Sequence, residues 1–329
     1  MTLEDTDAAL ARQREPALAL DICEDCGEPF TGQVCPHCGT PTPPRGEIRR
    51  LPREVVLSFV EHAEEYLAAG SRRHAVLAFA AGSFIGFGAM LSIVLTVGVD
   101  VPGIARLLLG LGFAAGFTLV ILSGSALFTE VNVLLPEFFL HRQSSHLRLL
   151  RFWLIVYLRN LAGAVFVGFM LNAADVIGPL EGERLAEITT EKMRFQEMGL
   201  EGWFRVVASG VLANWLVGMA AFLATAARTV SGKILGILLP ILAFVALGVQ
   251  HVPANMGYFA AGLIHGDVDT TVPEVFFWNL LPATIGNLIG GAVFVALLFW
   301  YTFGTDRGDR EALQRADDLV RTPRSGDTT

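Results

Sequence analysis

The sequence predicts an all-α membrane protein: six transmembrane helices in an inverted 3+3 repeat with two broken helices, preceded by a small N-terminal zinc ribbon. Three observations predict it. Of the 329 residues, 53% are hydrophobic and 17% charged. With a mean hydropathy of +0.51, the chain lies outside the range of ordinary soluble domains. Two apolar stretches are interrupted at membrane depth, residues 123–136 (SGSALFTEVNVLLP) and 246–265 (ALGVQHVPANMGYFAAGLIH). All four cysteines fall within sixteen residues as two C-x-x-C pairs.

The interruptions carry the functional expectation. Hydrocarbon offers no water to the backbone groups that Pro253 and its neighbours Gln250, His251 and Asn255 free, so such a break normally lines a cavity. Paired breaks in the two halves of a membrane chain point to a substrate site between them. These stretches imply a channel or carrier with His251 at mid-pore. The net charge of −8 says little about partners beyond the lipid bilayer, and no nucleic-acid partner is expected. Thirty-four glycines suit close helix packing in lipid.

Residues 1–22 are polar and acidic without a period, so a disordered tail is expected. They have no basic-then-apolar pattern, and no cleaved signal peptide is expected. The pair Cys23 and Cys26 and, after eight intervening residues, the pair Cys35 and Cys38 are each followed by a glycine, Gly27 and Gly39. This spacing places four thiolates for tetrahedral Zn²⁺ in a ribbon over 23–39. Four cysteines close the shell, so the metal is expected to be structural and the module a docking site for a soluble partner. Residues 40–51 form a Pro-rich linker. From Pro52, the residues Val55, Val56, Phe59, Val60, Ala63, Tyr66 and Leu67 recur at helical spacing opposite Glu54, Glu61, Glu64 and Glu65. This predicts an amphipathic helix lying along the bilayer or a neighbouring subunit.

Six apolar runs then meet the requirement of about 20 residues for spanning. They lie near 75–98, 104–140 (broken at 129–135), 150–172, 203–228, 232–265 (broken around His251) and 275–302. Arg and Lys crowd the segment before the first span and the second-to-third and fourth-to-fifth loops, which puts both termini in the cytoplasm of a cell-membrane protein. The loop 173–202 falls outside as an acidic surface cap, and 304–329 is a charged cytoplasmic tail. The third span contains Asn160-Leu-Ala-Gly-Ala-Val-Phe-Val and the sixth Asn287-Leu-Ile-Gly-Gly-Ala-Val-Phe-Val, one glycine longer. Each follows a broken helix, and three spans per half make the repeat inverted.

SALFTE at the first break, GVLANWLV at 210–217, LPILAFVALGVQHVPANM before the second break and NLLPATIGNLIGGAVFV in the sixth span resemble the formate/nitrite transporter family. The resemblance covers roughly residues 52–303. It implies an aquaporin-like protomer in a homopentamer, one pore each, passing formate, nitrite or a similar small anion or its neutral acid, and no enzyme activity. It also implies His251 as the central pore histidine, Thr129 facing it, and Asn214 and Asn287 as pore asparagines. The apolar slits would be Phe113, Phe117 and Phe244 on the outer side and Leu127, Phe128 and Val217 on the cytoplasmic side. Gln250 stands where the family often has Glu, and Glu130 adds a carboxylate where many members are neutral. Lys192 is the nearest candidate for an outer-vestibule lysine; its spacing fits poorly, and a plain surface charge is expected instead. Asn160 is expected to pack or cap backbone.

From the residues themselves, a charged solute is costly to pass between Phe, Leu and Val. Histidine titrates nearest physiological pH, so His251 is expected to share a proton with the bound anion while Thr129 and the asparagines orient it. A neutral-solute pore of the water or glycerol type would need Asn-Pro-Ala at both breaks, which neither LFTEVN nor HVPANM supplies. A membrane-embedded metalloenzyme would need more ligands at depth than His251, Glu130 and Glu137. A zinc-ribbon-regulated channel or sensor is the remaining alternative.

Overall fold

Residues 21–22, 29–30, 35–39, 49–68, 70–141, 146–266 and 268–304 are described by the computed structural model. The chain divides into two units, Met1–Ile48 and Arg49–Thr329. In the first, β1 (Asp21–Ile22) pairs antiparallel with β2 (Pro29–Phe30), Asp21 opposite Phe30. Cys35 to Gly39 close a turn in which the Gly39 N–H donates to the Cys35 carbonyl at 2.9 Å. Cys23, Cys26, the expected N-terminal tail to residue 20, most of the linker and the charged tail from residue 305 lie outside the described residues.

The second unit opens with α1 (Pro52–Ala68). Proline suits a first helical turn, where its missing N–H costs nothing, and Glu54 Oε2 accepts the Leu51 N–H at 2.7 Å. The apolar residues expected on one face, Val55, Val56, Phe59, Val60 and Ala63, are buried. They pack within the same chain rather than along a bilayer or another subunit, with the Phe59 ring 6.1 Å edge-on from Phe222. The segment just before α1 is tied to the same region: Arg50 N–H donates to the Ala226 carbonyl at 2.6 Å and its guanidinium to the Thr225 carbonyl at 2.8 Å.

Among the described residues nine further helices follow, besides the 3-10 turn Gln196–Met198: α2 (Ser71–Val94), α3 (Pro102–Leu122), α4 (Phe128–His141), α5 (His146–Ala173), α6 (Pro179–Met193), α7 (Gly199–Ala226), α8 (Val230–Ala246), α9 (Val252–His265) and α10 (Val272–Phe303). Among the same residues five stretches are long and apolar enough to cross a membrane: Arg72–Val94, Pro102–Leu122, Leu147–Ala173, part of Pro179–Ala226 and Val272–Phe303; α8 is a shorter apolar helix. The protein is therefore a multi-pass membrane protein. The acidic segment expected as a cap contains α6, whose Leu185, Ile188 and Thr189 are buried.

Both helix breaks are present and built alike. Residues 123–127 separate α3 from α4, and residues 247–251 separate α8 from α9. Gly124 (φ +66) and Gly248 (φ +68) each sit four residues before the next helix begins, in a left-handed conformation that side chains resist. The first break thus lies earlier than 129–135. Polar residues suggested the later position, but backbone geometry is set by Gly124, and Pro136 is accommodated inside α4.

The two halves exchange their short helices. α4 packs against α7 and α10, whereas α9 packs against α2 and α5. The long helices cross at matched glycines: a Cβ on Gly163 would collide with the Phe79 carbonyl of α2, and one on Gly290 with the Val211 carbonyl of α7. Such contact of backbones is what small residues permit between helices in lipid. Gly291, extra in the second half, is followed by a π-helical segment, Ala292–Leu297. A π turn holds one more residue than an α turn, so it absorbs the insertion while the flanking α-helix keeps its register.

Replacing Gly290 with Ala should therefore force α7 from α10. The expected outcome is a loss of about 1–3 kcal/mol, seen as lower thermal stability and less monodisperse detergent-purified protein on size exclusion.

Candidate functional site

The breaks need partners for the backbone they expose, and matched asparagines supply them. Asn160 Oδ1 accepts the Phe128 N–H at 2.8 Å, while its Nδ2 donates to the carbonyls of Ala126 (3.0 Å) and Ala78 (2.7 Å). Asn287 Oδ1 accepts the Val252 N–H at 2.8 Å, and its Nδ2 donates to the carbonyls of Gln250 (3.0 Å) and Gly210 (2.8 Å). Each amide caps the first residue of a half-helix and bridges to the loop before it. Asn287 is thus committed to backbone, as expected for Asn160. The half-helix N-termini keep the partial positive charge of aligned peptides, but their first N–H groups are taken.

Thr129 and His251, one from each break, meet between them. Thr129 Oγ1 lies 2.8 Å from His251 Nε2, and both residues are fully buried. The His251 Nδ1 is buried without a hydrogen-bond partner. The Phe244 ring lies 5.0 Å and the Phe113 ring 6.1 Å from the imidazole, and the two phenyl rings meet edge-on at 5.5 Å. Phe117, Leu127 and Val217 are fully buried in the same apolar cluster. Phe128 is not brought to this set: its ring lies 5.2 Å from Tyr157, in the other cluster. Consecutive residues at the start of a helix face different ways, and here Leu127 and Phe128 divide between the two clusters. Asn214 donates its Nδ2 to the Asn287 carbonyl at 2.7 Å, leaving Oδ1 buried and unpartnered.

Beyond Phe113 and Phe244 opens a cavity of about 520 Å³. Its wall carries Arg106, Arg184, Lys192 and Arg194 against Asp100 and Glu191, a cationic balance in an acidic chain. Lys192 is not a plain surface charge. Its Nζ donates to Asn255 Oδ1 at 2.7 Å and stands 5.2 Å above the Tyr258 ring. The end of α6 places it there, which spacing from the fourth span could not reveal. Behind Lys192, Asn255 Nδ2 donates to Gln250 Oε1 (2.8 Å) and Asn279 Oδ1 (2.6 Å), and Asn279 Nδ2 donates to the Lys192 carbonyl (3.0 Å) and Gln250 Oε1 (3.2 Å). These bonds to Lys192 come from neutral amides, so its charge is held at the cavity by groups that do not neutralise it. Asn279 and Tyr258 are vestibule residues that sequence reasoning missed; their signal was a polar side chain at membrane depth.

A bundle with two unwound helices, a buried imidazole where they meet and a cationic vestibule in front defines a membrane protein that passes small solutes through its interior. The chain belongs to the formate/nitrite transporter family, whose profile matches residues 53–301; this is a transporter and channel family, not an enzyme family. It is 38% identical over 242 residues to a probable formate transporter of Methanothermobacter thermautotrophicus, covering 69% of this chain and 88% of that protein. It is 32% identical over 225 residues to the nitrite transporter NirC of Escherichia coli (strain K12), covering 67% of this chain and 80% of NirC. Among solved structures it is similar to an FNT family ion channel, with a TM-score of 0.67, 28% identity, and coverage of 76% of this chain and 98% of that one. It is also similar to a pentameric formate channel with formate bound, with a TM-score of 0.60, 27% identity, and coverage of 71% and 98%.

Asn160→Ala removes three hydrogen bonds, two at the first break and one to α2, and strands the Phe128 N–H. It should cost about 1–3 kcal/mol, read as a lower melting temperature, and should slow solute flux even though Asn160 is remote from the vestibule.

Proposed function

We propose that the chain is one protomer of a homopentamer that carries formate, nitrite or a similar small monovalent anion, or its neutral acid, across the cell membrane. Its six spans would be α2, α3 with α4, α5, α7, α8 with α9, and α10, with both termini cytoplasmic and the vestibule outside. The observation that carries this is the Thr129–His251 hydrogen bond at the junction of two broken helices, behind a cationic vestibule.

Each residue then has a task. Lys192 and the vestibule arginines concentrate the anion by Coulomb attraction. The positive ends of α4 and α9 hold it near His251. Phe113, Phe117 and Phe244 exclude water, so an ion would have to shed its hydration there without replacement. Protonated His251 offers an N–H to the anion; that bond breaks, an O–H bond forms, and imidazole and acid both leave the step neutral. Thr129 keeps the ring oriented through Nε2, and the neutral acid passes Leu127 and Val217. Asn214 lies along that route, while Asn287 holds the break in shape. In a proteoliposome assay with formate, His251→Ala should lower flux about tenfold or more and flatten its dependence on pH. Unchanged pH dependence would remove the proton-sharing role.

The zinc ribbon is a separate proposal. The short β1–β2 pair flanks the first cysteine pair, and the hydrogen-bonded Cys35–Gly39 turn supports the second. Zinc would be held by Cys23, Cys26, Cys35 and Cys38 and would supply only a structural cross-link, which leaves the module to bind a soluble partner. Purified protein should contain one zinc per chain by elemental analysis, and Cys23→Ser should lose both the metal and any partner recovered by pull-down while retaining flux.

A further inference from the structure

Asn132 and Asn214 are fully buried, yet three of their four amide atoms have no hydrogen-bond partner: Nδ2 and Oδ1 of Asn132 and Oδ1 of Asn214. The fourth, Asn214 Nδ2, donates to the Asn287 carbonyl, which settles that amide's orientation and makes its free atom an acceptor. Native interiors rarely leave such atoms unmatched, and each one so left points to an unrecorded partner. Both residues come close to Gly291. A Cβ built there would lie 2.6 Å from Asn214 Nδ2, 3.0 Å from Asn132 Cβ and 3.2 Å from the Asn132 carbonyl oxygen. That carbonyl receives no helical N–H, because the residue four ahead is Pro136.

Asn132 follows Thr129 by three residues on α4 and shares its face of the helix, so on the transport route proposed above this amide would come next after the Thr129–His251 pair. Gly291 is the residue by which the second repeat exceeds the first, and it introduces the π segment Ala292–Leu297; π turns gather at functional sites.

We propose that Asn132 and Asn214 form a second subsite, which takes up the transported species only in its neutral, hydrogen-bond-donating form. This rests on the proposed transport of a small acid and assigns the step after proton sharing. The subsite presents three acceptors, namely the Asn132 carbonyl, Asn132 Oδ1 and Asn214 Oδ1, against one donor group, Asn132 Nδ2. Formate or nitrite as an anion brings only acceptors and is repelled. The acid donates its hydroxyl to one of the oxygens and accepts from Nδ2 with its other oxygen. Water has the same donor–acceptor character, so the shared chemistry is a small neutral molecule with at least one O–H.

The test is Asn132→Leu, which keeps asparagine's branching and number of heavy atoms but carries no polar atom, in proteoliposomes, with formate flux and osmotic water permeability measured side by side and assembly checked by size exclusion. Formate uptake should fall about tenfold with assembly retained, and Asn132→Ser, which restores a donor and an acceptor, should return it to within about threefold of wild type. Loss of formate flux alone marks the acid as the occupant, and parallel loss of water permeability marks a subsite that both use. Should the leucine variant fail to assemble, Asn132→Asp decides: a carboxyl of the same shape should slow formate once the pH is high enough to ionise it against its burial. Wild-type formate flux in Asn132→Leu, or in Asn132→Asp across the whole pH series, or a serine variant as slow as the leucine one, overturns the inference. A wild-type protein that carries neither formate nor nitrite overturns the transport proposal itself, which is a separate result.

Discussion

The structure depends on one constraint: backbone polar groups at bilayer depth must find partners inside the protein. Two five-residue loops violate the helical solution, and each is made tolerable by a single asparagine from a neighbouring long helix. Asn160 and Asn287 do the same work with the same three bonds, one to the first N–H of a half-helix and two to carbonyls. The glycines Gly163 and Gly290, three residues further on, let those helices approach closely enough for the amides to reach. The apparent repeat of an apolar string is therefore a repeat of this brace. Once the loops are held, Thr129 and His251 meet as a consequence.

A symmetric frame does not make a symmetric path. On the vestibule side the polar groups are cations and amides that hold Lys192 without neutralising it. Around Gly291 stand the buried, unpartnered Asn132 Oδ1, Asn132 Nδ2 and Asn214 Oδ1. The difference is written where the repeats diverge. His251 ends its loop where Leu127 ends the other, and Gly291 is an addition with no counterpart. The brace is shared, whereas the chemistry sits on the unmatched residues.

Much of this was legible in the chain. Breaks, repeat, amphipathic first helix and the pairing of Thr129 with His251 followed from hydropathy, from strings repeated around asparagine and from the family resemblance. What sequence placed poorly were contacts set by direction rather than identity. Residues 129–135 looked like the break because polarity marked them, yet a helix tolerates polar residues when partner helices bury them, and the unwinding lies at 123–127, around Gly124. Phe128 was grouped with Leu127, but their side chains enter different clusters. Lys192 looked like surface charge because spacing was counted along the fourth span, whereas α6 folds back to deliver it. Asn132 drew no attention among the polar residues of its stretch; only burial without partners sets it apart.

Dielectric cost connects these pieces. An ion held at the vestibule enjoys cations and water, but between the Phe113–Phe244 pair and Leu127 with Val217 the walls are apolar and fully buried. Stabilising a bare anion there would take a ring of fixed donors, and the loops' foremost N–H groups are already spent on Asn160 and Asn287. The brace that makes the breaks stable thus takes up one backbone donor at each break, those of Phe128 and Val252, that an ion could otherwise use. At the centre stands the His251 imidazole with an unengaged Nδ1, and in the transport we propose it would change the solute's charge instead of solvating it. On that proposal the architecture would select for solutes that exchange a proton readily and are small enough to fit the slit, and would disfavour ions that stay charged at every accessible pH.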